Sequence, residues 1–326
     1  MNLSLQAAPH FRTTDTTRNV MLDVLIALVP AVIVSTWIFG IRALGIMLFC
    51  MFFAEFLEFF IVRVLKRQKD FVPDFSASVT GLLLGMNLSL AVNWWQILLG
   101  IGVAIIIAKH AFGGLGQNFF NPALVGRVFM IISFPTAMTT WYVPFYYKNP
   151  DILTAASPLS LFSEQGLEQA IQNYSYWDMF LGRIPGSIGE VSALALIIGF
   201  VYLLVKGRIK IMIPVFYIAT IMIFSSIFYF INPSTFGTPL FHLLSGGLIL
   251  GALFMATDMV TSPMTFKGQA VFGIGAGTLT MIIRFFGNYP EGVSFSILIM
   301  NALVPLIDDW LKPRIYGTHK GGAKNA

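Results

Sequence analysis

Cysteine is almost missing from this chain, and its scarcity excludes two kinds of site. Cys50 is the only cysteine among 326 residues. One thiol forms no disulfide within the chain and cannot hold an iron–sulfur cluster by itself. Because Cys50 lies inside an apolar run, we interpret it as a small buried hydrophobic residue. The sequence also lacks zinc-ligand spacings, a Walker loop and a hydrolase triad, so none of these chemistries is indicated.

Charge is equally scarce. Only 11% of the residues are charged, whereas soluble domains carry about 25%. The hydrophobic share is 56% and the mean hydropathy is +0.78, so the sequence predicts an integral membrane protein. The formal net charge is +5, but lysine and arginine collect beside spans on the cytoplasmic side of membrane proteins. The excess therefore indicates topology and not nucleic-acid binding.

Ten apolar segments follow a polar start of 19 residues, which has no apolar core and is not predicted to be a signal peptide. A transmembrane helix needs about 20 apolar residues. Seven segments meet this length, and three are short or interrupted by glycine. The pattern predicts an all-α integral membrane protein with about ten transmembrane helices and both ends on one side. The segments are approximately 20–40, 43–65, 76–92, 95–112, 122–137, 190–206, 211–232, 239–257, 268–286 and 292–311.

Basic residues at the segment ends fall mainly on one side of this ten-span arrangement, which must then be the cytoplasm. The opposite side keeps few, chiefly Arg42, Lys148 and Arg183. We therefore expect both termini in the cytoplasm. The predicted organisation is a cytoplasmic N-terminal segment, a first membrane half, an extracytoplasmic loop, a second membrane half and a cytoplasmic tail, at 1–19, 20–137, 138–189, 190–311 and 312–326.

Two of the short segments share a glycine pattern. Gly81-Leu-Leu-Leu-Gly85 in the third recurs as Gly247-Leu-Ile-Leu-Gly251 in the eighth. Short, glycine-rich segments at corresponding places of two halves indicate inverted repeats with broken helices around a midplane site. Glycines four residues apart also permit close helix packing, which is the simpler interpretation.

A cluster of amides lies between the fourth and fifth segments. Gln117, Asn118 and Asn121 follow a glycine-rich turn and precede Pro122, in a stretch that ends at Arg127. Side-chain amides both donate and accept hydrogen bonds, which suits the N–C=O edge of an isoalloxazine or a ribityl chain. Pro122 suits the first position of a helix, so the amides would lie at the positive end of that helix dipole. The alternative is a capped re-entrant loop between two spans.

The string Asp151-Ile-Leu-Thr154-Ala155-Ala156-Ser157-Pro158 lies in the predicted extracytoplasmic loop. A phosphoester needs an accessible hydroxyl, small neighbours and an extended backbone. Ser157 precedes proline, which favours extended geometry, and the two alanines leave space. The alternative is an ordinary turn or helix start capped by Asp151 or Thr154.

Several acidic residues in or beside the spans are further candidates, because charge is costly to bury in a membrane. Asp23, Glu55 and Glu58 lie within predicted spans, and the last two share a helix face. They are candidates for ion passage, for contacts with partner subunits or for interfacial positions. Glu190 is placed to favour a helix start. Asp258 is interpreted as a helix cap, with cation binding or polarisation of a neighbouring flavin as the alternatives.

Taken together, these elements resemble a family that contains the D subunit of the Rnf complex, the membrane-bound ferredoxin:NAD+ oxidoreductase, and the B subunit of the sodium-translocating NADH:quinone oxidoreductase. The resemblance covers nearly the whole chain, and the chain length favours the Rnf protein. The loop string is similar to the family's flavinylation pattern, Asp-x-x-(Ser/Thr)-(Gly/Ala)-Ala-Thr, with Ser157 at the usual threonine. The elements that carry the resemblance are Ala8–His10, Asp74–Asn87, Gly113–Arg127, Asp151–Ser157, Ile184–Glu190 and Ala256–Pro263.

The resemblance implies two flavins. FMN would be joined through its phosphate to Ser157, with Thr154 as the fallback acceptor and Asp151 as part of the motif. A second, non-covalent flavin, typically riboflavin, would bind near the amide cluster. Asn118 and Asn121 are the contacts carried over, with Gln117 and Arg127 beside them.

The resemblance also implies an electron-relay role in a bacterial cytoplasmic (inner) membrane complex, coupled to Na+ or H+ transport. The chain would be one part of a translocating oxidoreductase, with no complete active site of its own. Its partners would be a flavin-bearing G-type subunit, iron–sulfur membrane subunits, an FMN transferase for maturation and membrane lipid. The competing interpretations are the related quinone-reductase protein, a solute transporter or channel built on inverted repeats, and a cofactor-free scaffold.

Overall fold

The computed structural model describes residues 15–67, 72–148, 153–287 and 291–312. These residues form helices, turns and loops without a β-strand; an isolated antiparallel bridge joins Tyr142 to Thr154. The prediction of an all-α membrane protein is confirmed.

Among the described residues, five helices are long and apolar enough to cross a membrane. Many of their large apolar side chains are exposed, as expected for surfaces that face lipid. They are α1 (Thr17–Phe39), α2 (Ile41–Phe60, continued as a π-helix to Leu65), α11 (Met212–Ile231), α15 (Phe266–Phe286) and α16 (Val293–Trp310).

The other five predicted segments contain shorter helices. The 11 residues of α3 rise only about 17 Å, less than the ~30 Å hydrocarbon core, and the eighth segment is broken. These helices are α3 (Ser76–Met86), α4 (Trp94–Gly102, continued as a π-helix to His110), α5 (Pro122–Ser133), α10 (Ala193–Val205), and the pair α13 (Pro239–Leu244) and α14 (Leu248–Leu250, continued as a π-helix to Met255). Five small helices complete the described chain, namely α6 (Pro135–Thr139), α7 (Pro158–Gln165), α8 (Leu167–Asn173), α9 (Tyr176–Leu181) and α12 (Pro233–Phe236).

Two predicted boundaries differ from the observed ones for local reasons. The sequence predicts that the fifth segment reaches residue 137, but α5 ends at Ser133. The reason is that Pro135 disfavours helical geometry at the residue before it. The sixth was expected to begin at Glu190, but α10 begins at Ala193 with the Ser192 hydroxyl as its N-cap. Glu190 therefore does not start a helix, and its carboxylate has another role.

Both ends of the described chain lie at the same face. Near the start, Asp15 pairs with Arg208 in the α10–α11 turn, and near the end Asp308 accepts from the main-chain N–H of Met264 before α15. The amide cluster lies at this face, which we call the Asn118 face. The described parts of the predicted loop, 138–148 and 153–189, cover the opposite face, which we call the Ser157 face. The first helices of the halves, α1 and α10, pack together, as do the last, α5 and α16.

The repeated glycines serve close packing. A Cβ on Gly81 would collide with the Cys50 main-chain oxygen of α2, and one on Gly247 would collide with the Glu190 carboxylate; a Cβ on Gly85 would lie in tight contact with Cys50. The closest approach of α1 and α10 depends on Gly199, because a Cβ there would strike the main-chain oxygen of Ala27.

We expect Gly199→Ala to destabilise the protein, because the added methyl forces α1 and α10 apart; overpacking of this kind costs about 1–3 kcal/mol. The thermal unfolding midpoint of the detergent-solubilised protein should fall by several degrees. Gly45→Ala is the matched control, since nothing lies within 4 Å of a Cβ at that helical glycine. An equal loss in both variants would contradict the packing argument.

Candidate functional site

Two cavities open at opposite faces of the bundle, and four of the predicted site residues line them, namely Asn118, Asn121, Arg127 and Ser157. The first, the Asn118 cavity, opens between the two halves at the Asn118 face. Its walls come from α1, α3, the 110–121 loop and the turn after α14. Representative lining residues are Met21, Thr80, Lys109, Asn118, Asn121, Phe254 and Asp258.

The two asparagines of this cavity differ in what their amides already bind. The Asn121 Oδ1 caps α5 by accepting from the N–H groups of Ala123 (3.0 Å) and Leu124 (3.4 Å), and its Nδ2 donates to the Met255 oxygen at 3.1 Å. Asn118 is buried, and its Nδ2 donates to the Phe120 oxygen at 3.2 Å. Within the described residues no hydrogen-bond donor reaches the buried Asn118 Oδ1. Asn118 therefore keeps a free acceptor, while Asn121 ties the halves together.

Gln117 and Arg127, predicted beside these amides, lie elsewhere. Gln117 is exposed and does not line the cavity. Its Oε1 packs against Gly113, whose φ of +127° and missing Cβ allow this approach. Arg127 lies six residues along α5 and faces the opposite cavity.

Three π-helical segments end at the Asn118 face, at Leu65, His110 and Met255. Such widened turns are frequent at functional sites. The third brings the Met255 oxygen to the Asn121 amide, so it fixes a wall of the Asn118 cavity.

The acidic residues of the predicted spans have partners in the structure. Glu58 pairs with Lys109 at 2.7 Å and contacts His110 at 3.2 Å, and Glu55 accepts from the Ser78 hydroxyl at 2.6 Å. Lys109 also donates to the Ser76 hydroxyl at 2.6 Å and lines the Asn118 cavity. These contacts join α2, α3 and α4 beside that cavity.

Two other acids lie near the same face. Asp23 pairs with Arg208 at 2.7 Å. The neighbouring Arg208–Asp15 contact at 2.9 Å holds the pKa of the Asp15 carboxyl below its ordinary value. Asp258 accepts from the Thr261 hydroxyl at 2.9 Å and lines the Asn118 cavity.

The second cavity, the Ser157 cavity, opens at the Ser157 face. Its polar lining combines hydroxyls with one cation and one carboxylate, beside apolar walls. The lining includes Arg127, Thr139, Trp141, Ser157, Ser160, Glu291, Ser294 and Phe295.

Ser157 has the geometry expected of an accessible acceptor at a helix start. Its backbone is extended (φ −67°, ψ 160°), and its half-buried hydroxyl caps α7, with Oγ 3.2 Å from the Ser160 nitrogen and 3.0 Å from the Ser160 hydroxyl. The hydroxyl thus lies at the positive end of α7, where anions are favoured.

The segment before Ser157 is anchored by main-chain bonds. Ala155 donates to the Trp141 oxygen and Val143 to the Leu153 oxygen, both at 3.1 Å. The Tyr174 hydroxyl donates to the Ala156 oxygen at 3.3 Å. Burial raises the pKa of the Tyr174 phenol, so this donor stays protonated near neutral pH.

The other residues of the loop motif are placed differently. Thr154 is exposed, pairs with Tyr142 in the isolated bridge and does not line the Ser157 cavity. Asp151 lies outside the described residues. Ser157 is therefore the motif hydroxyl that faces a cavity.

A buried ionic network forms the floor of the Ser157 cavity, and sequence reasoning missed most of it. Arg127 is 1% exposed. Its Nη1 donates to Glu190 Oε1 at 2.5 Å and to Asn87 Oδ1, and its Nη2 contacts Glu291 Oε2. Charged residues beside apolar segments were a visible signal, but the sequence does not show that Glu190 and Glu291 meet the same arginine.

Both cavities fit a flavin by their donor sets. The Ser157 hydroxyl, a helix N-terminus and an arginine suit an esterified phosphate. The free Asn118 oxygen suits a ring N–H in a partly apolar cavity.

A family model and several known proteins match nearly the whole chain. The family model for NQR2, RnfD and RnfE matches residues 4–317. The chain is 44% identical over 323 residues to the D subunit of the Na(+)-translocating ferredoxin:NAD(+) oxidoreductase complex of Acetobacterium woodii, covering 98% of this chain and 97% of the relative. It is 42% identical to the D subunit of the proton-translocating ferredoxin:NAD(+) oxidoreductase complex of Clostridium ljungdahlii, covering 97% of each. Identity to the D subunit of the ion-translocating oxidoreductase complex of Salmonella typhi is 35%, over 98% of this chain and 100% of the relative.

Proposed function

The chain belongs to the NQR2, RnfD, RnfE family, and we propose that it is the D subunit of an Rnf-type ion-translocating ferredoxin:NAD+ oxidoreductase complex. Three relatives that are D subunits of such complexes by name align with nearly all of the chain. This full-length agreement supports the Rnf protein over the quinone-reductase member of the same family. It also supports an oxidoreductase role over a solute channel.

Within that complex, we propose that the chain relays electrons through FMN esterified to Ser157. The observation that carries this proposal is the Ser157 hydroxyl lining a cavity with Arg127 at the start of α7. A bound flavin exchanges one or two electrons, at a potential set by the hydrogen bonds and charges around it.

The residues around Ser157 would hold the phosphate and enclose the ring. The Ser157 Oγ would form the ester bond, and the Ser160 N–H and hydroxyl lie within reach of its oxygens. Arg127 supplies positive charge, and Trp141 and Phe295 supply apolar walls.

Ser157→Ala should abolish covalent flavin in protein co-expressed with an FMN transferase, because the acceptor oxygen is gone. In-gel flavin fluorescence after denaturation should fall to background. Thr154→Ala is the matched control and should keep its fluorescent band, as should Ser157→Thr. A band that survives Ser157→Ala but disappears in Thr154→Ala would assign the ester to Thr154, and peptide mass analysis would confirm the site.

For the Asn118 cavity we propose non-covalent riboflavin. The free Asn118 acceptor, the positive N-terminus of α5 and the apolar walls support this assignment. Lys109 at the cavity wall adds a cation that favours electron-rich ligands.

Asn118→Ala should weaken the affinity for riboflavin about tenfold, because one buried hydrogen bond, about 1.4 kcal/mol, is lost. The bound riboflavin is measured after acid releases it from the protein. Thermal unfolding of this variant should stay near that of the wild type. Asn121→Ala should instead lose about 1–2 kcal/mol of stability, since it removes a helix cap and a bond between the halves. Gln117→Ala, on an exposed side chain, serves as control. Full riboflavin content in Asn118→Ala would refute this assignment.

We further propose that the protein lies in a bacterial cytoplasmic membrane with the Ser157 face outside and both termini in the cytoplasm. The basic residues near the Asn118 face, such as Lys66, Arg208 and Lys210, support this orientation. The Ser157 cavity would then meet an extracytoplasmic FMN transferase and a flavin-bearing G-type partner. The Asn118 cavity would lie nearer the iron–sulfur membrane subunits. The relative that is 44% identical is named Na(+)-translocating, and the one that is 42% identical is named proton-translocating. The proposal therefore covers coupling to either ion.

Reporter fusions after residues 150 and 207 should give opposite readings. Alkaline phosphatase, which needs an oxidising compartment, should be active after residue 150 and inactive after residue 207. A fluorescent protein that folds only in the cytoplasm should show the reverse. Reversal of both results would overturn the orientation.

A further inference from the structure

Arg127 contacts two carboxylates at once, so two glutamates share one guanidinium. Its side chain is 2% exposed and contacts both Glu190 and Glu291. The Arg284 guanidinium lies beside them and donates from Nε to the Glu291 main-chain oxygen at 3.2 Å. The two glutamates therefore compete for the terminal nitrogens of Arg127 at the floor of the Ser157 cavity.

The two glutamates are held to different degrees. Glu190 has a side chain that is 3% exposed and approaches both terminal nitrogens of Arg127, at 2.5 and 3.4 Å. Glu291 has a side chain that is 25% exposed, contacts only Nη2 and lines the cavity. Releasing Glu291 to water therefore breaks fewer contacts and needs less movement than releasing Glu190.

We propose that Arg127 is an anion-binding group of the Ser157 cavity and that Glu291 is its exchangeable counter-ion. A phosphoanion that enters the cavity takes the Nη2 side of Arg127, Glu291 turns toward solvent, and Glu190 stays paired. Hydroxyls of Ser157, Ser160 and Ser294 in the same lining supply further donors to phosphate oxygens.

On the proposed function, the anion is the phosphate of the esterified flavin; the inference rests on that function only for this identity. Esterification turns the phosphate into a diester with one negative charge. That charge replaces the one that Glu291 withdraws, so the charge around Arg127 is unchanged. A variant that lacks the Glu291 carboxylate has no competitor for Arg127, so its Arg127 binds the phosphoanion more tightly.

The test uses flavin-free chain, made without an FMN transferase, titrated with inorganic phosphate while thermal unfolding is followed. Glu291→Gln keeps a polar partner for Arg127 but removes the competing charge, so the phosphate dissociation constant should fall about tenfold. Glu164→Gln makes the same charge change at an exposed position of α7 and should match the wild type. Equal constants in wild type and Glu291→Gln, or an equal fall in Glu164→Gln, would overturn the exchange.

Glu291→Asp gives a second variant that keeps the charge but shortens the side chain. It should bind phosphate with a constant between those of wild type and Glu291→Gln; a constant weaker than wild type would overturn the proposal.

Flavinylated protein supplies an independent readout. The intact mass first shows whether FMN is attached, which tests the proposed function alone. Where FMN is attached, the proposal has Glu291 already turned toward solvent, so Glu291→Gln should leave the two-electron potential of the flavin unchanged. A potential raised by about 30 mV, a tenfold shift toward the reduced flavin, would keep the Glu291 carboxylate beside the flavin and overturn its release.

Discussion

The arrangement of the two halves depends on how the Arg127 guanidinium is satisfied. An arginine buried in a membrane protein is stable only when carboxylates and carbonyl dipoles compensate it. Asn87 reaches it from the end of α3, Glu190 from the segment before α10, and Glu291 from the segment before α16. The charge thus joins both halves at one point, and removing Arg127 leaves Glu190 and Glu291 without the guanidinium that they share.

The broken helices can be understood from the same requirement. A chain in hydrocarbon must satisfy its backbone internally, so irregular segments are tolerated only inside protein. The stretch after α3 is largely buried, with Asn87 and Ser89 fully covered. In the other half, Gly247 leaves room for the Glu190 carboxylate against the backbone. Short helices therefore leave polar backbone and side chains inside the helix bundle, where they surround the two cavities.

The sequence predicted the fold class, the ten apolar segments and the two motifs at the cavities, because composition, apolar length and proline position act locally. Ser157 was correctly expected to be extended, since proline restricts the residue before it. The grouping of side chains was less predictable. Arg127 was placed with the amides by proximity in sequence, yet a helix separates them and turns it toward Ser157. The pairing of Arg127 with Glu291, 164 positions away, depends on tertiary packing that no local pattern encodes.

The short helix α5 begins at one cavity with its cap, Asn121, and reaches the other with Arg127. Six residues advance about 9 Å along the axis and turn about 600°. The spacing therefore fixes the direction in which Arg127 points as well as its distance from Asn121. One residue inserted between these positions would rotate the guanidinium by about 100° away from its carboxylates. We would thus expect evolution to exchange side chains in this stretch far more readily than to change its number of residues.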